Sequence, residues 1–164
     1  MDAPVLDTPR LRLRPMRFAD WPGYAAFMAS PRSVDMGGPF DERAAWGMFC
    51  HDLGCWPLFG HGALMIEDRA GAVLGQVGIS AGPLFPEPEL GWLVHEAAEG
   101  RGVAFEAACA LRAWAYGPRG LATLVSYIDP ANARSRRLAE RLGARLDPAA
   151  RPQDPGDLVY RHPR

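Results

Sequence analysis

Basic and apolar side chains alternate with a period of two in Arg10-Leu11-Arg12-Leu13-Arg14, which predicts a strand with one buried face. Asp20 then stands as an N-cap ahead of Trp21 and Pro22. Tyr24, Phe27 and Met28 give this first helix its apolar face, and Pro31 ends it. Asp41 caps a second helix with Ala45, Trp46, Phe49 and Leu53 on one stripe, stopped by Gly54 and Pro57. Three strands follow at 63–67, 73–79 and 89–94, the first two joined by a hairpin turn at Asp68-Arg69-Ala70-Gly71. The loop at 82–88 is rigid, because Pro83, Pro86 and Pro88 each remove a ladder donor. The strongest helical pattern covers 103–116, with Ala104, Ala107, Ala108, Leu111 and Ala115 on one side. A strand at 123–128, a short helix at 133–142 ended by Gly143, and a hairpin pairing 144–146 with 158–160 complete the chain.

The order β-α-α-β-β-β-α-β-α-β-β mixes hairpin strands with crossover helices and predicts an α+β fold on a mixed sheet, not a doubly wound one. At 164 residues the chain fits one domain, 1–164, able to bury a core without staples. Its hydrophobic content of 48% and charged content of 23% exclude a disordered class. No apolar run reaches the ~18–20 residues that cross a bilayer. The start, Met1-Asp2-Ala3-Pro4, lacks the basic-then-apolar order of a secretion signal, so the expected location is cytoplasmic. Cys50, Cys55 and Cys109 form no CxxC and leave an odd one out, so reduced, buried thiols are expected. A net charge of −1 gives no field to gather nucleic acid or anionic membrane. All 18 basic residues are arginine, a compositional bias that says little about function.

Candidate chemistry concentrates in Glu89-Leu90-Gly91-Trp92-Leu93-Val94-His95-Glu96-Ala97-Ala98-Glu99-Gly100-Arg101-Gly102-Val103-Ala104, which reads as strand, loop, paired glycines and long helix. Gly100 and Gly102 allow a tight turn and bring bare amides close to a ligand. Those amides sit at a helix N-terminus, where free donors and the dipole favour an anion such as a pyrophosphate, and Arg101 can add a charged donor. The loop is neither a dinucleotide fingerprint, since Phe105 occupies the third glycine position, nor a Walker loop. Further on, Asn132 has the side chain of a helix cap in Asn132-Ala133-Arg134-Ser135, ahead of Glu140-Arg141-Leu142-Gly143-Ala144. Cys50, His51, Cys55 and His61 follow no zinc spacing, and no metal site is expected.

Together these segments resemble the acyl-CoA-binding half of the GNAT acetyltransferases, more narrowly the ribosomal-protein N-terminal acetyltransferase (RimJ/RimL-like) branch. Thr8-Pro9-Arg10-Leu11-Arg12-Leu13-Arg14-Pro15 looks like the branch's first strand, and Glu89-Leu90-Gly91-Trp92 is similar to its fourth. Glu99-x-x-Gly102-x-Ala104 matches the Gln/Arg-x-x-Gly-x-Gly/Ala loop at two of three positions. The resemblance covers residues 8–146 and implies about seven strands, about four helices, and a splay between the fourth and fifth strands.

It further implies acetyl-CoA as co-substrate, with its pantetheine arm along the backbone of Trp92, Leu93 and Val94. Its pyrophosphate would lie on Gly100, Arg101, Gly102, Val103 and Ala104, with Asn132 and Ser135 completing the site. The acceptor would be a peptide or small-molecule amine, attacked after loss of its proton. Glu89 is the first candidate for the base, its other reading being a solvated strand-end carboxylate; His95 is the second, or a surface residue. Ser135 stands as partner of the leaving thiolate, or as an exposed helix serine, because Ala139 occupies the position where many relatives carry tyrosine. The arginines 134, 136, 137, 141 and 145 form a solvated face or meet the CoA 3′-phosphate. Trp46, Trp56, Phe59, Phe85 and Tyr127 are core or acceptor-pocket walls. The alternative function is a degenerate acyl-CoA-binding domain without turnover. The C-terminal hairpin leaves monomer and homodimer both open.

Overall fold

The computed structural model describes residues 3–164; Met1 and Asp2, part of the acidic start, lie outside the described residues. The chain runs through β1 (Leu6–Asp7), β2 (Leu11–Pro15), α1 (Trp21–Met28), α2 (Glu42–Phe59), β3 (Ala63–Asp68), β4 (Val73–Ser80) and β5 (Glu89–Val94). It continues through α3 (Val103–Tyr116), β6 (Val125–Ile128), α4 (Ala133–Arg141), β7 (Arg145–Leu146) and β8 (Leu158–Arg161). Short 3₁₀ segments occupy Phe18–Asp20, Pro31–Met36 and Glu96–Ala98. The sheet order is β1-β2-β3-β4-β5-β6-β8-β7, an α+β arrangement in which every neighbouring pair is antiparallel except β5 and β6.

The pleat sorts β3 to two faces. Leu64 and Ile66 pack with Leu13, Val77, Leu90 and the Ala107, Ala108 and Leu111 face of α3. Ala63 and Met65 join Tyr24 and Met28 of α1 and Ala45 and Phe49 of α2. The sheet is therefore sandwiched between α3 and the α1–α2 pair. α4 closes a third cluster, Ala139 and Ala144 with Ile128 and Tyr160, beneath the far arm of the sheet.

Several local expectations need correction. An eighth strand exists, because Leu6 and Asp7 pair with Leu13 and Arg12. α2 does not stop at Gly54 or Pro57 but runs to Phe59, where Gly60 at φ +68° ends it. Pro57 offers no N–H to the carbonyl of Leu53, a cost of about 3 kcal/mol in a helix interior. Burial of Cys55 and Trp56, and the Trp56 indole bond to the Ala63 carbonyl (2.9 Å), hold the last turn regardless. The buried face of α2 is Ala45, Phe49, Cys55 and Trp56, and Trp46 is 43% exposed, stacked edge-on against Trp21.

Asp20 stands at the N-cap of α1 but gives that helix no side-chain cap bond. Its carboxylate takes two bonds from the Arg14 guanidinium (2.7 and 2.8 Å) and one from the Arg17 amide (2.8 Å). Arg14 is buried at the end of β2 and also meets Glu67, so two carboxylates share one desolvated guanidinium. Cys50 is exposed while Cys55 is buried, because they lie on different faces of α2. Among the described residues no helix is long and apolar enough to cross a membrane.

Candidate active site

β5 and β6 run parallel but pair only at Glu89 and Val125, where the Val125 amide meets the Pro88 carbonyl (3.1 Å). One residue on, a side chain replaces the ladder: Ser126 Oγ donates to the Leu90 carbonyl (2.5 Å). Beyond it the strands diverge, and among the described residues the edge of β5 facing β6 has no further strand partner. Backbone groups alternate along a strand, so the carbonyls of Leu90, Trp92 and Val94 share this edge. The Val94 carbonyl accepts from Arg32 Nη2 (3.0 Å), and the Trp92 indole N–H crosses the gap to Ser135 Oγ (3.3 Å) on α4. Leu93 is displaced from the expected set. It pairs with Gln76 of β4, its carbonyl lies against Gly75, and its side chain lines a different cavity.

The chain leaves β5 through the 3₁₀ turn Glu96–Ala98 and enters α3 over Gly100 (φ +69°) and Gly102 (φ +76°). Both glycines are in the left-handed region that other residues enter at about 1–2 kcal/mol. Ala98 and Val103, both buried, pin the two ends of the loop. Gly102 is the N-cap and supplies no side-chain acceptor, and the first bond of the helix runs from the Glu106 amide to the Gly102 carbonyl. The amides of Val103, Ala104 and Phe105 are thus available to an anion. Arg101 is exposed, and its carbonyl accepts from Arg10, which itself pairs with Glu106 (2.6 Å). A groove of about 750 Å³ opens here, lined by Thr8, Arg10, Gly100, Gly102, Phe105 and Arg141 among others. Arg141 lies over the Phe105 ring at 4.1 Å.

Glu89 sits at the vertex of the splay. Burial pushes its carboxyl up from 4.5 to about 7, with Asp157, Asp52 and Asp154 adding to the rise and the Tyr127 backbone opposing it. It is half-buried, not the solvated strand-end carboxylate of the alternative reading. His95 stacks on Phe27 at 6.0 Å and is half-buried, and burial lowers its proton affinity. With Tyr24, Phe27, Gln76 and Leu93 it lines a cavity of about 130 Å³ under α1. Asn132 caps α4 by accepting from the Ser135 amide (3.0 Å). Ser135 is half-buried, and the Trp92 bond leaves its own hydroxyl proton free to point elsewhere.

Sequence reasoning missed Asp52. Burial raises its carboxyl, and it accepts from Gln76 Nε2 (2.7 Å) and the Tyr24 hydroxyl (3.1 Å). The signal was present: Ala45, Phe49, Asp52 and Trp56 follow one helical stripe, which places a carboxylate on the buried face. Of the proposed pocket walls, Trp56 is core, whereas Tyr127 fixes the 82–88 loop by accepting from the Glu87 amide (3.0 Å). Glu99 does not point freely to solvent; it pairs with Arg32 (2.7 Å) and with Arg134, while Arg136 reaches the Tyr160 hydroxyl (3.4 Å).

A family model described as an acetyltransferase (GNAT) domain matches residues 10–145. An acetyltransferase from Agrobacterium tumefaciens str. C58 is 56% identical with a TM-score of 0.97, covering 100% of this chain and 96% of that one. A GNAT-family acetyltransferase from Bordetella pertussis is 31% identical with a TM-score of 0.81, covering 98% and 100%. The ribosomal L7/L12 α-N-protein acetyltransferase RimL, solved in complex with coenzyme A, shares the fold at 13% identity and a TM-score of 0.76, covering 96% of each chain. A family match over residues 10–145, joined to 56% identity along the whole chain, means that this protein belongs to the GNAT acetyltransferases, acyltransferases whose co-substrate is acetyl-CoA.

Proposed function

We propose that the protein moves an acetyl group from acetyl-CoA to a primary amine, a protein N-terminus or a small-molecule amine, by direct attack within a ternary complex. The observation that carries this reading is the single Glu89–Val125 pairing between β5 and β6, with the uncapped start of α3 at the end of the same strand. That arrangement supports an extended arm along the Trp92 and Val94 edge and a diphosphate on the amides of Gly100 to Ala104, where Arg101 and the helix dipole favour negative charge.

Glu89 takes the proton of the incoming ammonium. With its carboxyl raised to about 7 it is close in proton affinity to a peptide α-amine of ~8. The amine nitrogen bonds to the thioester carbonyl carbon as the carbon–sulfur bond breaks, and Ser135 Oγ donates toward the departing sulfur. Trp92 holds that hydroxyl in place through its indole. Asp52 lies close enough to Glu89 to push its carboxyl further up.

Calorimetric titration with acetyl-CoA, followed by thiol release across a panel of peptide and small amines, tests the reading. Saturable binding and amine-dependent thiol release are expected. Binding without release would leave an acyl-CoA-binding domain, and no binding at millimolar acetyl-CoA would remove the reading altogether.

A further inference from the structure

Glu99 occupies the position at which the matching loop of the family carries Gln or Arg, and its surroundings give that reversal of charge a meaning. Its carboxylate lies between two guanidiniums from opposite sides of the cleft. Arg32 comes from the 3₁₀ segment Pro31–Met36 between α1 and α2, and Arg134 comes from the first turn of α4. Asp35 adds a longer contact to Arg134 at 4.0 Å. The same Arg32 donates to the Val94 carbonyl on the open edge of β5, and its buried Nε meets no acceptor among the described residues. One arginine therefore masks the strand edge and holds the carboxylate, yet keeps an unsatisfied buried donor, an arrangement that an additional acceptor would stabilise.

We infer that Glu99 is a built-in stand-in for the cofactor's diphosphate: it holds Arg32 and Arg134 across the cleft mouth, and the diphosphate of acetyl-CoA takes both arginines over. This rests on the acetyl-CoA reading given above and adds Arg32 and Arg134 to the residues that would hold the diphosphate. A diphosphate offers more charge and more acceptor oxygens than one carboxylate, and each guanidinium can engage it with two parallel bonds. Glu99 has extended backbone at the end of its 3₁₀ turn, so its side chain can swing to solvent without moving the chain. Arg32, drawn toward the diphosphate, releases the Val94 carbonyl, so one exchange opens the anion seat and the strand edge together.

An exchange has a signature that simple repulsion lacks. If Arg134 must leave Glu99 to reach the diphosphate, its worth to binding is reduced by the bond it gives up, and removing Glu99 restores that worth. Coenzyme A affinity is measured by calorimetry for wild type, Glu99→Gln, Arg134→Ala and the double variant. Arg134 is 61% exposed, so its removal spares the fold. Glu99→Gln should tighten coenzyme A at least threefold, and Arg134→Ala should weaken it at least three times more in the Glu99→Gln background than in wild type. Dephospho-CoA, which keeps the diphosphate and lacks the 3′-phosphate, should show the same coupling. Additive effects would overturn the exchange while leaving the cofactor site intact. Coupling lost with dephospho-CoA would overturn it in favour of the 3′-phosphate. No binding of coenzyme A by any of the four proteins would sink both this inference and the cofactor reading.

Discussion

Replacing Glu89 with glutamine should make the protein more stable and a worse enzyme. Ionised Glu89 is costly because burial at the splay vertex strips its hydration, which is why its carboxyl rises from 4.5 to about 7. At ~1.4 kcal/mol for each tenfold change in proton affinity, that rise makes the ionised side chain cost the fold about 3 kcal/mol. The sign follows from proton linkage. Below pH 4.5 the group is neutral in both folded and unfolded chains and costs nothing. Between 4.5 and about 7 the unfolded chain ionises first, and stability falls until the folded group has titrated as well. The stability difference between Glu89→Gln and wild type should therefore grow by about 2–3 kcal/mol between pH 5 and pH 8.5, read as a larger denaturation free energy in urea. Turnover moves the other way: kcat/KM should drop about 10²-fold at pH 7 and recover partly above pH 9, where the acceptor amine is already neutral. A stability gap that stays constant from pH 5 to pH 8.5 would refute the buried carboxylate. A loss of kcat/KM that ignores pH would refute its role as base.

Gly102→Glu forces a side chain into φ +76°, with its Cβ 3.4 Å from the Arg10 guanidinium, and brings a carboxylate to the open amides of α3. Coenzyme A binding by calorimetry should disappear while circular dichroism stays native, and retained affinity would disprove the anion seat. Arg14→Ala strands Asp20 and Glu67, at 4% and 12% side-chain exposure, without their cation, so urea denaturation should show a loss of about 3–5 kcal/mol. A loss under 1 kcal/mol would mean that water replaces the guanidinium. Ser135→Ala should lower kcat no more than about tenfold with little change in coenzyme A affinity, since a thiolate, the anion of a thiol with a pKa of ~8.5, leaves without needing a strong acid. An equal fall in affinity would assign Ser135 to cofactor binding instead.

The parts of the fold that were legible in the sequence are those decided within one element. The Arg10–Arg14 alternation, the Asp68–Gly71 turn, the glycines before α3 and the Asn132 cap each express a period or a backbone requirement local to a few residues. The misreadings came where distant contacts overruled local preference. Pro57 continues a helix because Trp56 is anchored on Ala63 of the next strand, and Asp20 abandons its cap for a buried arginine six residues earlier. The candidate site divides in the same way. Glu89, Gly102 and Ser135 lie in motifs, whereas Arg32 joins Glu99 across 67 positions of chain and belongs to none. The Leu93 backbone faces β4 and not the gap, a distinction that the resemblance does not carry because it identifies a strand and not which of its alternate carbonyls faces outward.

β8 lies between β6 and β7, so a strand late in chain order is the inner neighbour of the cleft's far wall. During synthesis β6 emerges with a single pairing to β5, at Val125, and finds its antiparallel partner only after Leu158–Arg161 has left the ribosome. The far wall of the cleft is thus complete only once residues 158–161 are in place, and a chain ending before residue 158 would leave β6 with one strand pairing, at Val125.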